Sequence, residues 1–220
     1  MESLISSFDV DKSALERQLA DTLKGCDDGE LFMEYSQSEG LMFDNGKLKT
    51  GSFNTDQGFG LRAVAGEASG YAHSSELTEA SLRRAADAVS TVKDGYSGKL
   101  ATAPAGTNQR LYGEENPIAS PGFEEKAKLL QEIDGWLRAK DPRVRQVTAS
   151  LAASWQHVEI VRADGQIARD IRPLVRVNVS VMVGHGDRQE TGSYGMGGRK
   201  SFGEFLAEDS WQFAASEALR

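Results

Sequence analysis

The sequence predicts an α+β fold, an antiparallel or mixed sheet with three to four helices packed mainly on one face. Three observations carry that expectation. Val175, Val177, Val179, Val181 and Val183 alternate with Arg176, Asn178, Ser180 and Met182, the period of a strand buried on one face. Asn45-Gly46 sits between two extended stretches, a strong short-range hairpin signal because both turn residues need positive φ. Leucine-bearing stretches with helical spacing stand apart from the strand runs, which argues against a purely β architecture.

In chain order, Ser13 with Glu16 three positions on reads as a capping box, and Leu15, Leu19 and Leu23 share a face before Gly25 ends the run. From Glu30, Leu31, Met33 and Tyr35 alternate with Phe32 and Glu34. Leu41 to Asp44 then meets Lys47 to Phe53 across the Asn45-Gly46 turn, and Gln57 to Ala65 and Gly70 to His73 follow as two short strands. Leu82, Ala85, Val89 and Val92 mark a second helix. Pro104, Pro117 and Pro121 lie with several glycines between Lys93 and Gly122, where a long surface connection and a possible subdivision of the chain are expected.

Phe123, Ala127, Leu130, Ile133 and Leu137 define a third helix, with Glu124 and Glu125 at its positive end. Val147, Ala149, Leu151, Ala153 and Trp155 point one way along a strand while Thr148, Ser150 and Ser154 point the other. Val158 and Ile160 break that parity, so a bulge or bend is expected near Gln156-His157. Asp164-Gly165 and His185-Gly186-Asp187 turn the chain through an antiparallel meander. Glu208 to Arg220 carries Trp211, Ala214, Ala215 and Ala218 without a stop signal, so the pattern is expected to continue in a longer protein.

Composition narrows the function classes. With 25 basic and 33 acidic side chains in 220 residues the net charge is −8, which disfavours direct nucleic-acid binding, since affinity for phosphate backbones comes mostly from Lys and Arg. No basic leader and no apolar run of membrane-spanning length occurs, so a cytoplasmic location without membrane contact is the expectation. Cys26 has no partner for a disulfide, and His73, His157 and His185 lack the spacing of a local zinc motif.

Several motifs fail on their context. Gly58-Phe59-Gly60-Leu61-Arg62-Ala63 matches a permissive dinucleotide fingerprint, but strand rhythm continues on both sides where a helix N-terminus is required, so strand glycines are the better reading. Near Ser193 and Lys200, a nucleophile elbow needs glycine where Thr191 sits and a Walker loop needs glycine where Arg199 sits. What remains is a glycine loop, either a plain connection or a contact loop able to lie close to a ligand. His157-Val158-Glu159 lacks the paired cysteines of a zinc deaminase. Cys26 reads as packed rather than nucleophilic. Arg172 and Arg176 fall on one face with Asn178 and Ser180, either a carboxylate-binding face or the solvated side of a sheet.

The stretches Gly51 to Ala63, Val144 to Leu151 and Asp170 to Val181, with Gly195 to Gly203 in the same order, resemble the amino-terminal half of the TldD/PmbA family and are closer to its TldD branch. The resemblance covers nearly the whole chain. It implies a zinc-dependent metallopeptidase, once named a modulator of DNA gyrase, that acts on unstructured peptides and pairs with a related TldE/PmbA-like subunit. Residues 1–220 would be the amino-terminal domain, an α+β wall of the peptide cleft. The family's zinc ligands lie on a HExxxH helix, where the glutamate serves as general base. No HExxxH occurs here, so the resemblance transfers no catalytic or metal residue. Hydrolysis by these residues alone is not expected. The candidate substrate- or partner-binding residues are Arg172, Arg176, Asn178, Gly195, Gly197, Gly198 and Arg199. A free-standing regulatory module of the gyrase-modulator type, without hydrolase activity, is the alternative.

Overall fold

Six strands form one sheet in the order β3-β2-β1-β4-β5-β6. Its members are β1 (Asp28–Asp44), β2 (Lys47–Ala65), β3 (Ala68–Ser74), β4 (Val144–Arg162), β5 (Ile167–His185) and β6 (Arg188–Gly198). The helices are α1 (Lys12–Leu23), α2 (Glu79–Ser90), α3 (Phe123–Lys140), the single turn α4 (Gly203–Leu206) and α5 (Glu208–Leu219). The structure is a computed structural model that describes residues 3–7, 11–102 and 111–220; Pro104 of the expected connection lies outside them. The α+β class holds, with α4 added to the four helices legible from periodicity.

The turns form where residue chemistry permits them. Asn45 at φ 51° and Gly46 at φ 70° link β1 to β2, matching the twist that a tight hairpin requires. Gly66, Gly165 and Gly186 occupy the left-handed region at the other hairpins. The short strands expected on either side of Asn54 are instead the single strand β2, and the expected strand from Gln166 to Ile171 continues through Pro173 as β5. In both places polar or proline residues that resemble a break are carried by pairing to neighbours in the sheet.

Two compact units divide the chain, one of Met1–Ser36, Asp56–Gln109 and Gln156–Ile171, the other of Gln37–Thr55, Arg110–Trp155 and Arg172–Arg220. In the first, α1 buries Leu15, Leu19 and Leu23, and α2 buries Leu82, Ala85 and Val89, against Leu31, Met33, Phe59, Leu61 and Ala63 of β1 and β2. Each buried leucine contributes about 2 kcal/mol of hydrophobic stabilisation. The cap of α1 is Asp11, whose side chain accepts from the Ala14 amide, and not Ser13 as the Ser-x-x-Glu pattern suggests. The earlier cap starts the helix at Lys12. Thr78 and Ser81 form a reciprocal capping box on α2, which satisfies amides that otherwise lack intrahelical partners.

In the second unit, Leu130, Ile133 and Leu137 of α3 and Trp211, Ala214 and Ala215 of α5 pack on Val147, Ala149 and Leu151 of β4 and Val175, Val177 and Val179 of β5. Phe123, expected in the buried stripe, is 51% exposed, and Lys126 takes a place in that stripe at 0% exposure. Its ammonium donates to a Glu39 carboxylate oxygen on β1 and to the Ile118 carbonyl at 3.0 Å, and lies 5.2 Å from the centre of the Phe202 ring. A buried pair of this kind adds little net stability while both partners are present, yet removing one leaves an uncompensated charge.

Lys126→Ala should therefore cost about 3–5 kcal/mol. The double replacement Lys126→Met with Glu39→Met, which removes both charges and keeps the volume, should cost much less. Urea unfolding of the two variants checks this, and equal losses would show that packing rather than charge dominates the site.

Candidate functional site

Strand β5 sets the geometry of the predicted residues. Its valines Val175, Val177, Val179 and Val181 are buried, while Arg176 is exposed and Arg172, Asn178 and Ser180 are half-buried on the opposite parity. The antiparallel register to β6 places Arg176 opposite Gly197, Asn178 opposite Gly195 and Val175 opposite Gly198. Arg176 Nε donates to Asn178 Oδ1 at 2.8 Å, so the guanidinium lies along its own strand. A Cβ on Gly195 would stand 2.7 Å from Asn178 Oδ1 and 3.2 Å from Arg176 Nη2. The missing side chain is what lets this pair lie down across the neighbouring strand. A Cβ on Gly197 would run into the Val175 carbonyl.

The expected flexible loop from Gly195 is therefore mostly strand: Gly195, Met196, Gly197 and Gly198 extend β6. Sheet pairing overrides the weak strand propensity of glycine here, because the half-buried Tyr194 and Met196 pack against the core between the bare positions. Strand β6 lies at the edge of the sheet, and Arg199 follows it with its guanidinium carbon 5.0 Å from the Tyr112 ring centre, within cation–π range. The structure thus brings Arg176, Asn178, Gly195 and Gly197 together in adjacent rows, with Gly198 and Arg199 continuing the edge strand. Arg172 sits two pairs of residues before Arg176 on the same parity of β5. The arrangement offers guanidinium donors beside an edge of main-chain groups, suited to holding an extended chain or a carboxylate.

Of the histidines, His73 lies next to the end of β3 and His185 ends β5, both exposed, whereas His157 is buried within β4. Among the described residues, no group of three or more His, Cys, Asp or Glu converges in a way that would hold a metal ion. The donor chemistry present therefore does not fit a peptidase metal centre. Cys26 is buried, and burial pushes its thiol above the ordinary value, the opposite of what an activated nucleophile needs. Among the described residues, no helix is long and apolar enough to cross a membrane.

The expected parity break in β4 does not interrupt it. The strand runs unbroken to Arg162, and His157, Glu159 and Val161 keep the buried parity of Val147 to Trp155, with Val158 buried as well. Two polar side chains on core positions made the pattern look broken. Glu159 is 0% exposed, and its carboxylate accepts from Ser3 Oγ at 2.7 and 2.8 Å, the Leu4 amide at 2.7 Å and Arg169 Nη2 at 3.0 Å. Burial would raise this carboxyl, but these hydrogen bonds outweigh it and hold Glu159 below the ordinary value. Sequence reasoning missed both Glu159 and Lys126. The odd-numbered parity marks the first, and the spacing 126, 130, 133, 137 marks the second.

Comparison with known proteins assigns the chain to a family. Residues 29–92 match PmbA/TldA metallopeptidase domain 1, and residues 116–220 match the PmbA/TldA metallopeptidase central domain. The chain belongs to the TldD/PmbA family of metallopeptidases. It is 39% identical over 180 residues to the metalloprotease TldD homolog of Haemophilus influenzae, an overlap of 80% of this chain and 37% of that protein. A TldD homolog of Buchnera aphidicola is 32% identical over 185 residues, 83% of this chain and 38% of its own. The chain thus spans well under half the length of these relatives. Its fold is shared with TldE from Thermococcus kodakarensis, at a TM-score of 0.72 and 12% identity over 94% of this chain and 47% of that one. It is shared also with a protein named as a modulator of DNA gyrase from Bacteroides thetaiotaomicron, at a TM-score of 0.71 and 13% identity over 94% of this chain and 49% of that one.

Two outcomes follow from the geometry. Because the folded carboxyl of Glu159 is depressed, its contribution is present above the unfolded value of about 4.3 and is lost as pH falls through the lower folded value. The stability gap between the wild type and Glu159→Gln should thus be wide at pH 7 and narrow below the ordinary carboxylate range, as denaturant midpoints at the two pH values would report. A gap that does not change with pH would mean that packing accounts for it. On β6, Gly197→Ala should destabilise by about 1–3 kcal/mol, while Gly198→Ala, whose Cβ would meet only Lys200 Cγ at 3.9 Å, should stay within about 0.5 kcal/mol. Thermal melts of the two variants separate steric from propensity effects.

Proposed function

We propose that this chain is the amino-terminal, substrate- and partner-contacting portion of a TldD-like metallopeptidase, a part that grips extended peptide while hydrolysis is carried out by residues elsewhere in the longer protein. Family membership supports the metallopeptidase assignment, and the chain covers 37% of a TldD relative. The observation that carries the reading is the β5–β6 rim, where Arg176 and Asn178 lie against the bare Gly195 of an edge strand. An unfolded segment pairing with β6 would gain main-chain hydrogen bonds that do not depend on its sequence. Arg172, Arg176 and Arg199 would add contacts to its carboxylates.

The metal, zinc by the family's chemistry, would be held by residues outside this chain. It would polarise the scissile carbonyl and activate water there. Within this chain, the rim orients the peptide and limits its freedom, which raises the effective concentration at the reacting bond. The partner is a related TldE-like subunit, consistent with the shared fold at a TM-score of 0.72. The net charge of −8 and the lack of a membrane-spanning helix among the described residues agree with a peptide ligand rather than nucleic acid or lipid.

In the longer metallopeptidase, Arg172→Ala combined with Arg176→Ala should raise KM for an unfolded peptide about tenfold or more. The melting temperature and kcat should change little. Unchanged KM would return these side chains to a solvated sheet face.

A further inference from the structure

The glycines of Gly58-Phe59-Gly60, which fail as a phosphate loop, build something else. Phe59 and Leu61 are buried in the core of the first unit, so Gly58 and Gly60, which carry no side chain, fall on the opposite face of β2. The flanking strands do not leave the same face bare. Strand β1 presents Phe32 and Glu34, and β3 presents Tyr71 and His73, with His73 paired opposite Gly60. Tyr71 leans into the bare position, since a Cβ on Gly60 would stand 2.5 Å from its hydroxyl, and its ring stacks on His73 with centroids 5.8 Å apart and planes at 28°. The result is a groove of about 320 Å³ lined by Phe32, Glu34, Asp56, Gly60, Tyr71 and His73.

Its electrostatics have one sign. Neither Glu34 nor Asp56 has a cationic partner among the described residues. The nearest basic residue on this face of β2, Arg62, faces Asp28 and Glu30 at 4.0 Å each. Aromatic faces with unpaired carboxylates at the rim are the chemistry that attracts organic cations, because the ring quadrupole and the carboxylate charge act in the same direction.

We propose that this glycine-floored groove receives the guanidinium or ammonium side chain of an arginine or lysine in an extended peptide. The proposal rests on the peptide-gripping reading for the source of the cation. It adds to that reading a preference for basic residues, which the arginine-bearing rim of β5 and β6 does not supply.

Amide chemical shifts of the isotope-labelled chain, followed during titration with acetyl-Ala-Arg-Ala-amide, test it. Norleucine, glutamate and lysine replacements of the central residue and free methylguanidine complete the series. The arginine and lysine peptides should bind about tenfold more tightly than the norleucine peptide, with shifts confined to residues 32–34, 56–60 and 71–75. The isosteric pair Glu34→Gln with Asp56→Asn should abolish that preference while leaving other amide positions in place, and Gly60→Ala should weaken binding by displacing Tyr71. Equal affinity for the norleucine or glutamate peptide, or shifts elsewhere, would overturn the proposal. Methylguanidine binding as tightly as the arginine peptide would overturn the assignment to a peptide. Hydrolysis is not read in this assay, so failure of the metallopeptidase reading would leave a positive result standing. Loss of the charge preference would leave peptide cleavage by the longer protein untouched.

Discussion

The two-residue side-chain period of the strands is the constraint on which everything else in this chain depends. Along β1, β4 and β5 the odd-numbered residues fill the core of each unit, from Leu31 and Met33 to Leu41 and Phe43, and from Val147 to Val161. A register slip of one residue would turn every one of these side chains to the opposite face. Once those positions are committed to cores closed by helices, the opposite parity of each strand, even-numbered on β1, β2 and β5 and odd-numbered on β3 and β6, is left to meet solvent or ligands, and both candidate surfaces lie there.

The same physical device serves both candidate surfaces. Removing side chains at alternate positions of one strand lets long side chains on its neighbour lie down into the space. In the second unit the neighbour is Arg176 with Asn178, over Gly195; in the first it is Tyr71, over Gly60. Glycine weakens a strand by its entropy and lack of packing, so the loss is tolerated only where paired neighbours hold the register. On β6 the partly buried Tyr194 and Met196 anchor the strand between the bare positions, and on β2 the buried Phe59 and Leu61 do so. The buried charges act in a complementary way. Lys126 with Glu39 and Glu159 with Ser3 each join segments far apart in sequence, and either charge is costly to leave without its partners.

Much of this was legible in the sequence, and the failures have identifiable causes. Periodicity located four helices and the antiparallel meander, and Asn45-Gly46 placed the hairpin, because turn and core positions there follow residue chemistry directly. Long strands were cut short at Asn54 to Asp56 and at Pro173, since local propensity does not register the pairing that carries them. The rim residues were legible as a face but not as a trough, because the contact of Gly195 with Asn178 depends on register between strands. Glu159 and Lys126 were passed over because a charged residue on a core position looks like a broken pattern until its partners, distant in sequence, are brought to it. The groove over Gly60 depended on three strands at once and had no local signal beyond the two strand glycines.

On the function proposed for this chain, its residues hold and orient a peptide while the metal is bound elsewhere in the longer protein. Zinc content per chain, determined on the purified 220 residues together with their cleavage of an unfolded peptide, tests it most directly. No stoichiometric zinc and no turnover are expected under conditions where the longer protein has both. One tightly held zinc per chain, or cleavage by this chain alone, would contradict it.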